Sequence, residues 1–185
     1  MNRASGDRRM AAMSRGYAAP AIALLAAAPV TAQQLSPKQV GSVHAEDIGF
    51  EPFAAFPAGA ELAKVVGDPT GLGPYVVRVR VPGGVKLMPH IHPEDRVYTV
   101  ISGVFYIGFG STFDATRLTA YGPGSVVILP GNTPHFHWAR SGEYVTQVTG
   151  TGPLGIRYVD VKDDPRNGDP RAAATRSAPQ TDHQP

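Results

Sequence analysis

Four histidines stand out in the 185-residue chain because they form two pairs of identical spacing, His90-Ile91-His92 and His135-Phe136-His137. In an extended strand, residues i and i+2 project from the same face, so each pair aims two imidazoles at one point. Neutral imidazole is a general ligand for Zn, Cu, Ni and Fe, and two same-face pairs supply three or four nitrogens to one divalent ion. A single His-x-His is weak evidence, since a lone pair on a strand is more often part of the core or half exposed. The chain contains no cysteine, so disulfides and thiolate ligands are excluded and a metal site must use N and O donors.

Both pairs fall in segments that read as strands. Tyr75 to Val81 sets Val77, Val79 and Val81 on one side against Arg78 and Arg80 on the other, the period-2 pattern of a half-buried strand. Further strand-like runs are Val85 to His92, Val97 to Ile101, Val104 to Phe109, Ser125 to Leu129, Pro134 to Ala139, Tyr144 to Thr149 and Ile156 to Val161. Turn residues separate them, among them Pro82-Gly83-Gly84, Gly122-Pro123-Gly124 and Pro130-Gly131-Asn132. A succession of short strands with regular turns predicts an all-β sandwich or barrel, and the 21 Gly and 18 Pro fit tight turns better than long helices. The length suits one domain.

The flanking segments read differently. Residues 1–32 have the chemistry of an export signal: Arg3, Arg8, Arg9 and Arg15 come first, then a small, apolar run from Ala18 to Ala28, then Val30-Thr31-Ala32 before Gln33. The apolar run is too short, and too broken by Pro20 and Pro29, to span a bilayer of about 20 apolar residues' thickness. Cleavage after Ala32 predicts a periplasmic or secreted protein with no membrane span. It removes four Arg and one Asp, leaving 13 basic and 14 acidic residues. No Lys/Arg cluster remains to bind nucleic acid. Residues 33–74 read as an N-terminal arm, in which Phe50, Phe53 and Phe56 cover the chain's own barrel or a second copy, and Ala60 to Val66 has a short amphipathic pattern. Residues 163–185 read as a disordered, polar tail, which leaves the barrel at 75–162.

The setting of the histidines resembles the two sequence motifs of the cupin superfamily. Gly84, five residues, His90-Ile91-His92 and then Gly103 match the first, and Gly124, five residues, Pro130-Gly131-Asn132-Thr133-Pro134-His135 match the second. The resemblance covers roughly residues 75–161 and implies a single jelly-roll β-barrel. It implies that His90, His92 and His135 hold a divalent metal ion (Zn, Cu, Ni, Fe or Mn) inside the barrel. The fourth cupin ligand is a Glu, and Arg96 stands in its place. A guanidinium roughly 6 Å from a divalent ion repels it by about 5 kcal/mol at an effective dielectric near 20.

Three outcomes follow from Arg96. It turns to the barrel mouth and pairs with Glu94 or Asp95, leaving an open three-histidine site. Alternatively, His137 or Glu94 supplies the fourth ligand. In the third case the metal is absent and Arg96 clamps an anionic substrate. Asn132 replaces a motif glycine and is expected to take the left-handed turn, and Ala139 stands where the second motif ends in Asn. Met88, Tyr98, Phe105 or Tyr106, Phe136 or Trp138, and Gln147 are candidates to wall the pocket. The resemblance therefore implies a metal-dependent binder of a small organic molecule, an oxygenase or hydrolase if it is an enzyme, with no catalytic residue assigned. A non-catalytic module for a sugar or small acid, using Arg96, is the competing expectation, and a homodimer is expected from the edge strands.

Overall fold

The structure is a computed structural model, and it describes residues 41–168. The expected export signal at 1–32, the start of the arm and most of the tail lie outside the described residues. Within them, strands alternate with turns in the order β1 (Glu51–Pro52), β2 (Glu61–Val66), β3 (Gly73–Val81), β4 (Lys86–Ile91), β5 (Arg96–Ser102), β6 (Phe105–Phe109), β7 (Thr119–Tyr121), β8 (Val126–Leu129), β9 (His135–Trp138), β10 (Tyr144–Gly152) and β11 (Arg157–Tyr158). They form two antiparallel sheets, β1-β2-β3-β10-β5-β8 and β11-β4-β9-β6-β7. The all-β fold expected from the turn pattern, and the jelly-roll barrel implied by the cupin resemblance, are the fold observed.

The core lies between the sheets and follows the period-2 rule. On β3, Tyr75, Val77, Val79 and Val81 are buried and the residues between them half exposed. They meet Leu87, Tyr98, Val100, Phe105, Ile107, Tyr144 and Val148. The same alternation puts Arg96 on the inner side of β5 beside Tyr98 and Val100.

Three expectations need correction. The Ala60 to Val66 stretch is no amphipathic turn of helix but strand β2, paired with β3 from Glu61 opposite Arg80 to Lys64 opposite Val77. Its Val-rich end and the partner edge of β3 outweigh the local pattern, so the sheet starts before residue 75. The last expected strand is only Arg157–Tyr158; beyond it, Asp160 and Asp164 cap short 3-10 turns at Val161–Asp163 and Pro165–Asn167 through bonds of 3.0 Å each. The stretch from 163 to Gly168 is therefore ordered, with Arg166 paired to Asp164 at 2.7 Å. Of the arm phenylalanines, Phe56 is buried in the chain's own core, Phe53 packs on it, and Phe50 lies 4.3 Å under the Arg80 guanidinium.

Candidate metal centre

The second histidine pair sits on β9, where His135 and His137 face inward, while Phe136 faces out against Phe113 and over Gly108, a position where a Cβ would collide with the Phe136 ring. The first pair is placed by an irregularity. Leu87 lies opposite His137 and His90 opposite His135, so three residues on β4 answer two on β9. Met88 and Pro89 form the resulting bulge, where a residue without an N–H costs no ladder bond. The bulge turns both Leu87 and His90 inward, which strict alternation would forbid.

Four buried imidazoles thus share one end of the barrel. Ring centroids are 4.3 Å apart for His90 and His135, 4.9 Å for His90 and His92, 5.1 Å for His135 and His137, and 5.1 Å for His92 and His135. Among the described residues, the set whose ligating atoms all lie within 4.8 Å of one another is His90, His135 and His137. His92 is beside this triad, not in it. It lies past the end of β4, and its Nδ1 donates to the Gly155 carbonyl at 2.6 Å.

Backbone carbonyls only accept, so they fix the tautomers. His90 Nδ1 donates to Met88 O at 2.7 Å and His135 Nδ1 to Thr133 O at 2.9 Å, leaving each Nε2 with a lone pair. The Nε2 atoms of His135 and His137 are buried without a hydrogen-bond partner. Burial holds all four imidazoles below their ordinary range, with the Arg96 charge adding to it; His135 is brought to about 4. All four are therefore neutral at pH 7, the form that binds metal.

Arg96 is buried, 5% exposed. Its Nε donates to Glu94 Oε1 at 2.9 Å, its Nη2 pairs with the same oxygen, and Nη2 also donates to Gly155 O at 3.1 Å. Glu94 additionally accepts from Tyr75 Oη at 2.9 Å and from the Gly155 N–H at 3.2 Å. That carboxylate is occupied and lies outside the triad, so of the two alternatives for an added ligand the geometry brings in His137. Asp95 does not pair with Arg96; it accepts from Gly131 N at 2.7 Å. Asn132 takes the left-handed turn, with φ 59°, and donates its N–H to His92 O at 2.6 Å.

The cavity beside the histidines is small, about 20 Å³, and is lined in part by Phe56, Arg96, Tyr98, Tyr144 and Thr146. Burial raises the Tyr98 and Tyr144 phenols above their ordinary range, so both keep their protons. Of the expected wall, Tyr98 lines the cavity and Phe105 packs on His137 at 4.8 Å. Tyr106, Phe136 and Trp138 face outward by parity, Met88 belongs to the bulge, and Gln147 accepts from Arg78 Nε at 3.3 Å. Tyr144, Thr146 and Gly155 escaped the sequence reading. The first two were visible as alternate positions with Val148, whereas Gly155 carries no chemical signal.

No protein-family model matches the chain, and no curated protein matches it in sequence. Solved structures do match in fold. The polyketide cyclase RemF from Streptomyces resistomycificus has 19% identity and a TM-score of 0.57 over 74% of this chain and 98% of that one. An RmlC-like cupin from Ralstonia eutropha has 19% identity and a TM-score of 0.52 over 74% and 87%. A sugar phosphate isomerase of the cupin superfamily from Silicibacter pomeroyi has 20% identity and a TM-score of 0.51 over 65% and 83%. Two antiparallel sheets closed over inward-facing histidines define a jelly-roll barrel. In fold, the chain is similar to these cupin structures.

Proposed function

We propose that this chain belongs to the cupin superfamily and binds a divalent metal ion through His90, His135 and His137, with His92 as a fourth imidazole held alongside. The observation that carries this reading is the pairing of the ring nitrogens. The Nδ1 atoms of His90, His92 and His135 donate to backbone carbonyls, and the Nε2 atoms of His135 and His137 are buried without a partner. Outer hydrogen bonds that fix tautomer and orientation are what metal-ligating histidines require. An unpaired buried acceptor otherwise costs roughly 1–3 kcal/mol, which a metal would relieve. An all-nitrogen set suits Zn, Cu or Ni better than Mn or Fe.

Such an ion supplies Lewis-acid chemistry or activation of water or dioxygen, the basis for proposing an oxygenase or hydrolase acting on a small organic molecule. The chain's own residues keep the imidazoles neutral, present the Tyr98 and Tyr144 hydroxyls and exclude bulk water. The alternative, a metal-free module clamping an anion on Arg96, is the weaker reading, because Nε and Nη2 of Arg96 are already given to Glu94 and Gly155. Export is proposed on the composition of residues 1–32. A homodimer is proposed on the outer face of β5 and β8, where Val97, Ile101, Val126 and Ile128 are exposed on a sheet edge; a light-scattering mass of one chain would remove it.

The test is metal content by plasma mass spectrometry. We expect about one equivalent per chain, as a single closed triad predicts, and its loss in a His135→Ala, His137→Ala variant. Wild-type protein that stays metal-free after reconstitution with Zn, Cu, Ni, Fe and Mn in turn sinks the reading.

A further inference from the structure

Each of the four barrel imidazoles has its Nδ1 held by the protein, and one of the four holders differs in kind. Nδ1 of His90, His92 and His135 meets a backbone carbonyl, which only accepts, so these rings keep their proton on Nδ1. Nδ1 of His137 meets the Tyr144 hydroxyl at 3.5 Å, the longest of the four contacts. A phenol both donates and accepts, so this holder lets the ring carry its proton on either nitrogen. His137 is thus the member of the triad whose tautomer the backbone does not fix. Tyr144 is built into that place: it opens β10 opposite Val81, is 1% exposed and packs on Phe105 at 5.2 Å, and Phe105 packs in turn on His137 at 4.8 Å. Among the described residues, His137 is the hydroxyl's one hydrogen-bond partner. Tyr98 borders the same cavity, but its ring meets His137 edge to face at 5.9 Å and its hydroxyl bonds no imidazole among the described residues.

The other nitrogens show what that freedom does. The ligating atoms of the triad lie within 4.8 Å of one another, and His90 and His135 present lone pairs there because their protons are on Nδ1. A third lone pair, from His137, would face two like partial charges in a buried and weakly screened site. A proton on its Nε2 would face two acceptors instead. With Tyr144 donating to Nδ1, His137 carries that proton and the buried hydroxyl has its acceptor. A metal ion requires the reverse arrangement. Nε2 then gives its proton to solvent, Nδ1 takes one from solvent, and the new N–H donates to Tyr144 Oη. The ring is neutral in both arrangements, and no net proton is exchanged.

We infer that Tyr144 is the positioning residue of His137, and that its hydroxyl turns from donor to acceptor when the triad takes up a metal ion, as His137 passes from the Nε2–H to the Nδ1–H tautomer. This rests on the metal reading of the triad, and it accounts for how three converging nitrogens are accommodated with and without the ion.

The test is long-range proton–nitrogen NMR on the ring nitrogens of isotopically labelled full-length protein, before and after zinc is added. His90, His92 and His135 should carry the proton on Nδ1 in both states, and His137 on Nε2 without zinc and on Nδ1 with it. Tyr144→Phe keeps the aromatic ring and removes the hydroxyl. It should lower zinc affinity, read by competition with a chromophoric chelator, by about 10- to 100-fold, as loss of an outer-shell partner does. Phe105→Leu disturbs the packing of the same imidazole and none of its nitrogens, and should leave the tautomer change of His137 intact. The inference is overturned if zinc loading leaves the His137 tautomer unchanged, if Tyr144→Phe binds zinc as tightly as wild type, or if Phe105→Leu abolishes the change. Zinc content is measured on the same samples. Protein that takes up no zinc and carries the His137 proton on Nε2 removes the metal reading and supports the Tyr144 contact, whereas zinc-loaded protein with that proton on Nδ1 throughout removes this inference alone.

Discussion

His90-Ile91-His92 and His135-Phe136-His137 have the same spacing and different fates. The second pair lies within β9, and both of its Nε2 atoms are buried and unpaired on the inner face. The first pair straddles a strand end. His90 is brought inward by the bulge at Met88 and Pro89, and His92 lies past β4 with its ring anchored on Gly155, 63 residues along the chain. Identical spacing fixes a shared environment only while the strand stays regular. Where it does not, the neighbouring turns decide, and the first pair yields one member of the triad and one held neighbour.

The sharpest way to break this contrast is to remove the rings one at a time. His135→Ala and His137→Ala should each abolish stoichiometric metal binding, whereas His92→Ala, a neighbour outside the triad, should weaken it by about 10- to 100-fold, as loss of an outer-shell partner does. Competition against a chromophoric chelator measures both, and equal losses at His92 and His135 would erase the distinction.

The anchor of the first pair is the next target. Glu94→Gln leaves the buried Arg96 charge uncompensated and should destabilise the fold by about 3–5 kcal/mol in urea unfolding. Glu94→Leu combined with Arg96→Met should recover most of that loss, which a purely local packing defect would not show.

Titration tests the shared burial. The four imidazoles have folded-state pKa values below the unfolded value near 6.5, with His135 at about 4, so the unfolded chain binds more protons between these limits. Stability of the metal-free protein should be full above about pH 6.5 and fall as the pH drops toward 4, by about 3 kcal/mol from His135 alone. A flat profile over that interval would contradict buried neutral rings. The smallest effect belongs to Pro89→Ala, which should change stability by less than about 1 kcal/mol and keep metal binding, because the pairs Leu87 with His137 and His90 with His135 hold the bulge from both sides.

Much of the barrel was legible because alternation and turn residues are local signals. Tyr75 to Val81 and Tyr144 to Thr149 emerge within β3 and β10, and Asn132 takes the left-handed turn its residue type allows. Arg96 is inward by the same alternation, but its partner was one of two acids, and only the fold shows that Glu94 takes the guanidinium while Asp95 caps the 130–134 turn. The triad was partly legible: all four histidines converge, yet the choice of His137 over His92 depends on a bulge and a distant glycine carbonyl, neither of which has a compositional mark. Strand β2 was missed because its six residues carry too little pattern to outweigh a short amphipathic reading.

The bulge at Met88 and Pro89 also gives the barrel something like a reading frame. Ahead of it, Leu87 faces inward in one frame; after it, His90 faces inward in the other. Deleting one residue there would let β4 and β9 run two against two, with Leu87 still opposite His137 and His90 still opposite His135 in one regular frame. Composition would hardly change, and no histidine would be replaced. The bulge is therefore a place where β4 can differ in length by one residue without moving a ligand, because the pairing with β9 on either side holds the frame of the site.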